Sequence, residues 1–361
     1  MPGWVPVTGI NPPKRGGGAK SRRRMQMADL AKLAGVAPST VSRALAGSEL
    51  VSPETRERIQ TLARQFNYTV NRAATNLRSG INRTIGVVVP YEQASRQSFA
   101  DPFLHGMIGS LADALTQRGY EMLLVRIDAE NLDAASALID AGRTAGVILI
   151  GQWRHHDQLN AMAERGLPLV VWGTQLPGQR YCTVGSDNQL GGQLVARHLL
   201  AEGRRRIGFL GDIGLPEVAE RYRGFAGVLK ANKVALPDRR HASVPFLADA
   251  GRVAMHALLE AEPDLDAVFA SGDLLAMAAI GALRERGRRV PEDVAVVGYD
   301  DVELAAHFSP PLSTVRQPIH EGGAALVEIL LEMLERGDAL PSVELETRLV
   351  VRQSSHSDSG H

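Results

Sequence analysis

The amino-acid sequence predicts an α/β protein with a small all-α headpiece at its N-terminus, followed by a core of two lobes, each built on a doubly wound parallel sheet. Two observations lead to this prediction. Residues 28–46 have the pattern of two short helices joined by a glycine turn, and residues 84–352 alternate short β-rich runs with longer helical patterns. About ten or more strands are expected, and two sheets accommodate that number better than one.

The charge of the chain is divided unevenly. Residues 1–80 carry 13 Lys and Arg against four Asp and Glu, a net charge of +9, whereas residues 81–361 carry 27 against 36, a net charge of −9. A basic head on an acidic body suits a protein that docks on phosphate groups through one end. Cys182 is the sole cysteine, which excludes an intramolecular disulfide and a multi-cysteine metal site. A buried, inert thiol is favoured over a nucleophile.

The N-terminal residues 1–24 are rich in Pro, Gly and Arg and contain too little apolar surface to fold, so they are expected to be a disordered basic arm. Either this arm adds phosphate contacts, or translation starts at Met25 or Met27. No apolar run approaches the ~18 residues of a membrane span, and no apolar signal core is present near the N-terminus. A cytoplasmic protein is expected.

The first two helices form a helix-turn-helix pattern. Their apolar residues can share one small core: Leu30, Ala31, Ala34, Val36, Val41 and Leu45. Ser39 and Arg43, four residues apart, lie on a different face of the second helix, where the residues of a recognition helix reach base edges in the major groove. The alternative is an amphipathic helical pair with a solvated polar face.

A third helix completes the headpiece of residues 25–68. Ser52 can cap it, and Pro53 fills its first turn. Four apolar residues at helical spacing are expected to face the first two helices: Ile59, Leu62, Ala63 and Phe66.

The core is expected to contain parallel sheets with helices on both faces, because strands and helices alternate. The expected strands include 84–89, 121–126, 145–150, 169–172, 206–210, 267–270 and 294–298. The expected helices include 103–118, 188–202, 217–231, 250–261 and 274–286.

Several separated motifs extend over residues 27–352. They are Ala34-Gly35-Val36 with Thr40 to Arg43, Val51 to Arg56, Asn71 to Ala74 with Leu77, Ile85 to Pro90, Ser186-Asp187-Asn188, Arg221 to Phe225, and Val297 to Asp301. Together they resemble the motifs of the LacI/GalR family of bacterial transcription regulators. The resemblance implies a core similar to a periplasmic sugar-binding protein.

The resemblance also implies the boundaries of the domains. Residues 69–83 would form a hinge helix and linker, and residues 84–352 an effector-binding core. Within the core, lobe 1 would hold residues 84–184 and 314–340, and lobe 2 residues 185–313 and 341–352. Residues 353–361 contain no leucine heptad and are expected to be a disordered tail.

In the family, the residues that match Pro38, Ser39 and Arg43 read bases, so Arg43 is the main candidate for a guanine contact. Thr40, Ser42 and Asn67 are candidates for phosphate contacts. For Thr40 and Ser42, local helix capping is an equal alternative.

Residues 71–79, which begin at Asn71, would fold into a short helix only when paired with their twin on DNA. The resemblance implies that Leu77 is a wedge inserted into the minor groove and that Arg78 lies alongside it. The alternative is a flexible linker with an incidental leucine.

The effector candidates lie where parallel strands end, because ligands of two-lobed α/β proteins bind beyond the carboxyl ends of the strands. Arg221 and Asp300 match family residues that hold effectors, and an arginine with a carboxylate can clamp the adjacent hydroxyls of a sugar. Phe103 and Phe246 are expected to contact the ligand rather than only the core.

For three further residues, the sequence leaves two roles open. Trp153 and Trp172 each follow or end a strand, and ligand contact and core packing are equally expected for both. Asp273, at the start of a helix, is either a cleft residue or a helix cap. No cofactor or metal site is expected beyond a small-molecule effector.

Four positions depart from the family pattern. The family usually has serine at Ala37, where the recognition helix is capped, and often asparagine at Ala46. Pro38 offers no hydrogen bond, so it can recognise only DNA shape or a thymine methyl. Gly173 occupies a place where the family often has an acidic ligand residue.

These expectations describe a homodimeric, operator-binding regulator, with a repressor favoured, that responds to a small molecule, most simply a sugar. The first alternative is a small-molecule-binding protein of the periplasmic sugar-binding type without a DNA function. The second is an enzyme, but no HExxH, GxSxG or P-loop pattern is present.

Overall fold

The computed structural model describes residues 25–45, 47–66, 68, 82–92, 99 and 101–356. The chain divides into two compact units, Met1–Ile81 and Asn82–His361. Several of the positions expected to be functional or disordered lie outside the described residues: 1–24, Ala46, Asn67, Asn71, Leu77, Arg78 and 357–361.

The headpiece contains three helices: α1 (Met27–Ala34), α2 (Pro38–Leu45) and α3 (Pro53–Gln65). Gly35 ends α1 in the left-handed conformation with φ 65°, which lets the chain turn sharply into α2. Ser52 caps α3 by accepting a hydrogen bond from the backbone N–H of Thr55 at 3.4 Å. Glycine turn, serine cap and helix spacing therefore agree with the sequence prediction.

The apolar residues of the three helices form one core. Its buried members are Leu30, Ala31, Ala34, Val41, Ala44, Val51, Ile59 and Ala63. The prediction that Phe66 joins this core is wrong, since Phe66 is 45% exposed. Helix α3 ends at Gln65, so Phe66 leaves the helical face, and Tyr68 packs against the core in its place.

Lobe 1 is built on a six-stranded sheet: β1 (Thr84–Tyr91), β2 (Glu121–Asp128), β3 (Gly146–Ile150), β4 (Leu169–Trp172), β5 (Cys182–Ser186) and β11 (Val343–Leu345). The strand order is β11-β5-β4-β3-β1-β2, and every pair is parallel. The helices associated with it are α4 (Pro102–Gln117), α5 (Ser136–Asp140), α6 (His156–Glu164) and α12 (Ile319–Arg336).

Lobe 2 has a second six-stranded sheet: β6 (Ile207–Leu210), β7 (His241–Ala242), β8 (Ala267–Ala270), β9 (Ala295–Asp300), β10 (Ser313–Arg316) and β12 (Arg348–Val350). Its order is β12-β10-β9-β8-β6-β7, and only the pair β10–β12 is antiparallel. Its helices are α7 (Asn188–Ala201), α8 (Pro216–Ala231), α9 (Ala248–Ala261), α10 (Asp273–Glu285) and α11 (Glu303–His307).

The chain passes between the lobes a few residues later than the family resemblance implies. Strand β5 continues in the first sheet to Ser186, so the first boundary lies beyond residue 184. Strand β10 pairs with β9, so residues 314–316 belong to lobe 2 rather than lobe 1. Strand β11 pairs with β5, so residues 343–345 belong to lobe 1 rather than lobe 2. Strand pairing, which the local sequence does not reveal, decides these boundaries.

The prediction of a disordered tail from residue 353 is wrong for residues 353–356. Ser354 and Ser355 are fully buried. The backbone N–H of Val296 donates to the Ser354 carbonyl at 2.7 Å, and the Ser354 hydroxyl donates to the Val296 carbonyl at 2.6 Å. Polar residues stay ordered here because lobe 2 supplies their hydrogen bonds.

Within the part of the chain that the structure describes, no helix combines the length and the apolar character needed to cross a membrane.

Helix α2 starts without a capping side chain. The Ala37 carbonyl accepts the N–H of Val41 at 3.2 Å, so Ala37 occupies the cap position, and its methyl group leaves the first N–H groups without a side-chain acceptor. We expect Ala37→Ser to raise the free energy of unfolding of the headpiece by about 0.5–2 kcal/mol. Thermal and urea unfolding of residues 25–68 would measure it. Ala37→Val, which has no oxygen, is the control and should give no gain; an unchanged stability of Ala37→Ser would refute the prediction.

Candidate functional site

The outer face of α2 presents the residues expected to contact DNA. Pro38, Ser39 and Arg43 are exposed, and Thr40 and Ser42 are partly exposed. Buried Val41 and Ala44 hold the opposite face of the helix against the headpiece core.

None of these polar side chains makes a hydrogen bond to another of the described residues, and Arg43 has no acidic partner among them. Helix capping by Thr40 and Ser42 is therefore not observed. An arginine fork and a serine hydroxyl that are unsatisfied and point away from the core can bind the edges of bases or phosphate oxygens.

The second candidate site is a cleft between the two lobes of the core, with a volume of about 730 Å³ including its solvent-open part. Both lobes contribute to its walls at the carboxyl ends of their strands, as the sequence predicts for a ligand site. Six of the seven expected effector residues line it: Phe103, Trp153, Trp172, Arg221, Phe246 and Asp300.

Arg221 is held in a fixed orientation inside this cleft. Its Nε donates to Oδ1 of Asn188 at 2.8 Å, and its Nη1 donates to the carbonyl of Ser271. Its guanidinium carbon lies 3.7 Å from the centre of the Tyr299 ring, within cation–π range. Nη2 makes no hydrogen bond to the described residues, so this end of the fork is available to a ligand.

Asp300 ends β9 and faces the same cleft. Gln317 donates from Nε2 to Oδ1 of Asp300 at 2.6 Å, and Gln317 in turn accepts from the Ser186 hydroxyl at 2.9 Å. Asp300 has φ 123° and Asp301 has φ 55°, in the region that favours glycine. Strained backbone of this kind concentrates at binding sites, where the surrounding structure holds it.

Asp273 neither lines the cleft nor caps a helix, so the structure supports neither of the two roles expected from the sequence. It is fully buried, and its carboxylate accepts from the Thr314 hydroxyl at 2.6 Å and from the backbone N–H of Val302 at 3.0 Å. Gly272, rather than Asp273, holds the cap position of α10. Asp273 thus stabilises the strained turn that follows β9 through these hydrogen bonds.

The aromatic residues contributed by lobe 1 differ in their exposure and contacts. Trp172 is only 4% exposed and its ring lies 6.1 Å from that of Phe103, centre to centre. A side chain at Gly322 would meet the Trp172 ring at 2.3 Å, so α12 packs directly on it. Trp153 is partly exposed and has φ 53°. Trp172 therefore serves mainly as the floor of the cleft, and Trp153 offers a more accessible ring.

Three polar residues that line the cleft were not predicted from the sequence: Asp101, Glu217 and Gln317. For two of them, the local sequence contains a pattern that could have identified them. Asp101 precedes Pro102, which starts the helix after β1, and it caps that helix by accepting the Phe103 N–H at 3.0 Å. Glu217 lies four residues before Arg221 and so shares its helix face. Gln317 gave no local signal, because its position depends on the crossing between lobes.

Burial changes the acidity of the cleft carboxyl groups. It raises the pKa of Asp101 to about 6, although the Phe103 N–H and nearby His105 act in the opposite direction. Burial also raises the pKa of Asp300, with Arg221 opposing and Asp101 reinforcing the shift. Burial raises the pKa of Glu217 as well. The cleft can therefore take up protons at mildly acidic pH.

Gly173 leaves no room for the acidic residue common in the family. A Cβ atom there would lie 2.5 Å from Cδ of Gln152, whose side chain is fully buried. Gln152 donates from Nε2 to the Thr174 carbonyl at 2.7 Å and to the Tyr181 hydroxyl at 2.9 Å. Gln152 occupies the space of the missing side chain.

In the described part of the chain, no group of His, Cys, Asp or Glu has an arrangement that could hold a metal ion.

The lacI family of bacterial regulatory proteins matches residues 26–71, and a periplasmic binding protein-like domain matches residues 196–355. The HTH-type transcriptional regulator CelR of Thermobifida fusca is 36% identical over 341 residues, which cover 92% of this chain and 99% of that relative. The chain belongs to the LacI family. The PurR repressor of Aliivibrio salmonicida is 31% identical, with 91% of this chain and 98% of the relative covered.

Solved structures agree with this assignment. A complex of the regulator CelR with cellobiose has a TM-score of 0.68 and 34% identity, covering 92% of this chain and all of that one. The lac repressor dimer bound to operator and an anti-inducer has a TM-score of 0.81 over 93% of this chain and all of that one, and at 24% identity it supports the fold alone. As a LacI-family member with a helix-turn-helix, the chain is a DNA-binding transcriptional regulator rather than a binding protein without a DNA function.

The contact between Gly173 and Gln152 can be tested directly. We expect Gly173→Ala to lower the free energy of unfolding of the core by about 1–3 kcal/mol, because the added methyl overlaps a side chain fixed by hydrogen bonds. In a Gln152→Ala background, which is itself less stable because buried hydrogen bonds are lost, Gly173→Ala should cost less than in the wild-type protein, since the space is open. Urea unfolding followed by circular dichroism measures both effects.

Gly227→Ala is the matched control, since a Cβ there meets open space on a helix and should not destabilise the protein. If Gly173→Ala is as stable as the wild-type protein, the described packing of Gln152 is wrong.

Proposed function

We propose that the protein is a cytoplasmic, homodimeric repressor whose affinity for a near-palindromic operator is controlled by a sugar bound in the cleft between its lobes. The observation that carries this proposal is that one chain has both an exposed recognition helix and a cleft. The cleft is lined by an arginine held in a fixed orientation, several carboxyl groups and aromatic rings. Such a cleft suits a polyhydroxylated ligand, because rings stack on sugar faces and charged groups bind adjacent hydroxyls.

At the DNA end, we assign base contacts to Pro38, Ser39 and Arg43. Arg43 is suited to guanine, and Pro38 to shape or a thymine methyl. Thr40 and Ser42 are assigned phosphate contacts. For the segment outside the described residues, the assignments of Asn71, Leu77 and Arg78 to the DNA interface follow from the family resemblance and remain predictions.

At the effector end, we assign hydroxyl recognition to Arg221, Asp300, Asp101 and Glu217, and stacking to the aromatic residues of the cleft. The first candidate effector is a disaccharide of glucose. Supporting this choice, a CelR structure with 34% identity is a complex with cellobiose. We assign no catalytic role and no cofactor to these residues, because the relatives matched over almost the whole chain are transcription regulators.

Coupling between the two sites follows from the geometry of a dimer. A ligand that contacts both lobes favours the closed arrangement of the cleft, and closure changes the spacing of the two segments that lead to the headpieces. Each headpiece reads one half-site, so that spacing decides whether both can bind at once.

Arg221→Ala should bind the operator as tightly as the wild-type protein but should no longer respond to cellobiose, since its fork is the fixed cationic group of the cleft. Fluorescence anisotropy on fragments of the promoter region, with and without the sugar, measures both properties. Arg223→Ala is the control, because Arg223 lies on the same helix but is exposed and paired with Glu220. A full response of Arg221→Ala would show that the pocket is assigned wrongly.

Effector affinity should decrease as the pH falls from 8 to 5, with much of the change between about pH 7, where Asp300 gains a proton, and about pH 6, where Asp101 does. The raised pKa values of Asp101 and Asp300 mean that both gain protons in this range, and a protonated carboxyl loses acceptor capacity for sugar hydroxyls. Calorimetric titration across this range measures the effect. Asp101→Asn keeps a capping side chain and should weaken the pH dependence. An affinity that stays constant from pH 5 to 8 would contradict the assignment.

A further inference from the structure

Arg154 joins the two lobes at the mouth of the cleft, although it does not line the cleft itself. It follows Trp153 in the loop after β3, in lobe 1. Its Nη2 forms an ion pair with Asp212, in the loop after β6 of lobe 2, and its Nη1 forms one with Glu92, just after β1 of lobe 1. One guanidinium therefore connects a carboxylate of its own lobe with a carboxylate of the other lobe.

The opposing loop lies close against Arg154. A Cβ atom at Gly214 would lie 2.9 Å from Nε of Arg154, so a larger residue there would push against the guanidinium. The Gly214 N–H donates to Oδ1 of Asp212 at 2.9 Å, which holds the acidic side chain in place. Leu215, next in this loop, lines the cleft together with Trp153 and Pro90. The ion pairs thus lie directly beside the cleft wall.

Arg154 lies away from the points where the chain crosses between the lobes, so a rotation of the lobes about those points displaces it relative to Asp212. The chain crosses between lobes after β5, β10 and β11; together with β12, these are the two outermost strands on one side of each sheet. Strand β3 is two strands from β5, and β6 is three strands from β10, so the Arg154–Asp212 pair lies roughly 10–14 Å from the crossings at β5 and β10. An opening of about 20° around these crossings would separate the two loops by about 4 Å, enough to break an ion pair.

The ligand-binding groups lie between the crossings and this pair. Asp300 ends β9, next to β10, and Gln317 belongs to a crossing segment, so both form the side of the cleft nearest the crossings. A second bond between lobes lies on the outer side, where the backbone N–H of Gln152 donates to Oε1 of Glu217 at 3.2 Å. An effector in the cleft is enclosed by the crossings on one side and by these contacts on the other.

Building on the proposed function, we propose that Arg154 is a positioning residue for effector binding, which closes the outer mouth of the cleft by tying lobe 1 to Asp212 of lobe 2. Its pair with Glu92 orients the guanidinium within lobe 1 and does not hold the lobes together. The pair with Asp212 forms when the cleft is closed, so it strengthens effector binding without touching the effector.

The test compares variants that break one pair each. Arg154→Ala and Asp212→Asn remove the pair between lobes, and the amide oxygen that Asp212→Asn introduces can still accept the Gly214 N–H. Glu92→Gln removes the ion pair that Arg154 makes within lobe 1 and leaves the pair between lobes in place, so it is the matched control. The first readout is the distance between spin labels on exposed residues of the two lobes, at Gln117→Cys and Lys230→Cys, measured without any ligand. The second is the affinity for cellobiose at low and high salt.

We expect Arg154→Ala and Asp212→Asn to increase the population with the longer distance to the same extent, and the double variant to add nothing. Cellobiose affinity should fall by about two- to fivefold in both, the range expected for a partly exposed ion pair. The loss should shrink at high salt, which screens the pair in the wild-type protein. Glu92→Gln should leave the distances unchanged.

Two results would overturn the proposal: wild-type distances in Arg154→Ala and Asp212→Asn, or an equal effect of Glu92→Gln and Asp212→Asn. A wild-type protein that does not bind cellobiose would refute the proposed effector. The distance measurement would still decide the role of Arg154, because it needs no ligand.

Discussion

The crossing of the chain between lobes at one edge of both sheets is the constraint on which the cleft depends. Three connections at that edge leave the opposite side able to open, and they bring the carboxyl ends of two parallel sheets to face each other. Ser186, the last residue before the first crossing, bonds to Gln317 in the second, and Gln317 bonds to Asp300. The segments that join the lobes therefore also hold a residue of the site, so movement of the lobes and occupancy of the site cannot be independent.

Between the two lobes, hydrogen bonds to neighbouring residues fix the orientation of polar side chains. These side chains keep hydrogen-bonding groups available to a ligand in the cleft. Arg221 uses Nε and Nη1 to bind Asn188 and Ser271 and lies over the Tyr299 ring, which leaves Nη2 for a ligand. Burial keeps the nearby carboxyl groups poised between protonated and charged forms. A preorganised site of this kind loses little conformational entropy on binding, which favours selective recognition of a rigid, hydroxylated molecule.

The sequence predicted the elements well where local chemistry decides them. Helix ends at Gly35 and Ser52, strand β4 and strand β8 agree because glycine turns, caps and apolar runs act locally. It failed where distant parts of the chain decide the outcome. The polar Ser354 and Ser355 are buried because lobe 2 supplies their hydrogen-bond partners, and Asp273 braces a turn formed by two strands far away in sequence. Gln317 and Arg154 matter through contacts across lobes, which no local pattern reveals.

The central physical claim is that the cleft and the DNA-binding headpiece share one conformational equilibrium. Thermodynamic linkage requires that, if an effector changes operator affinity by some factor, the operator changes effector affinity by the same factor. The most direct measurement is a titration of the sugar into the full-length protein with and without saturating operator DNA, alongside operator titrations with and without saturating sugar. The two factors should be equal and different from one. An effector that binds in the cleft with the same affinity whether or not operator is present would contradict the claim.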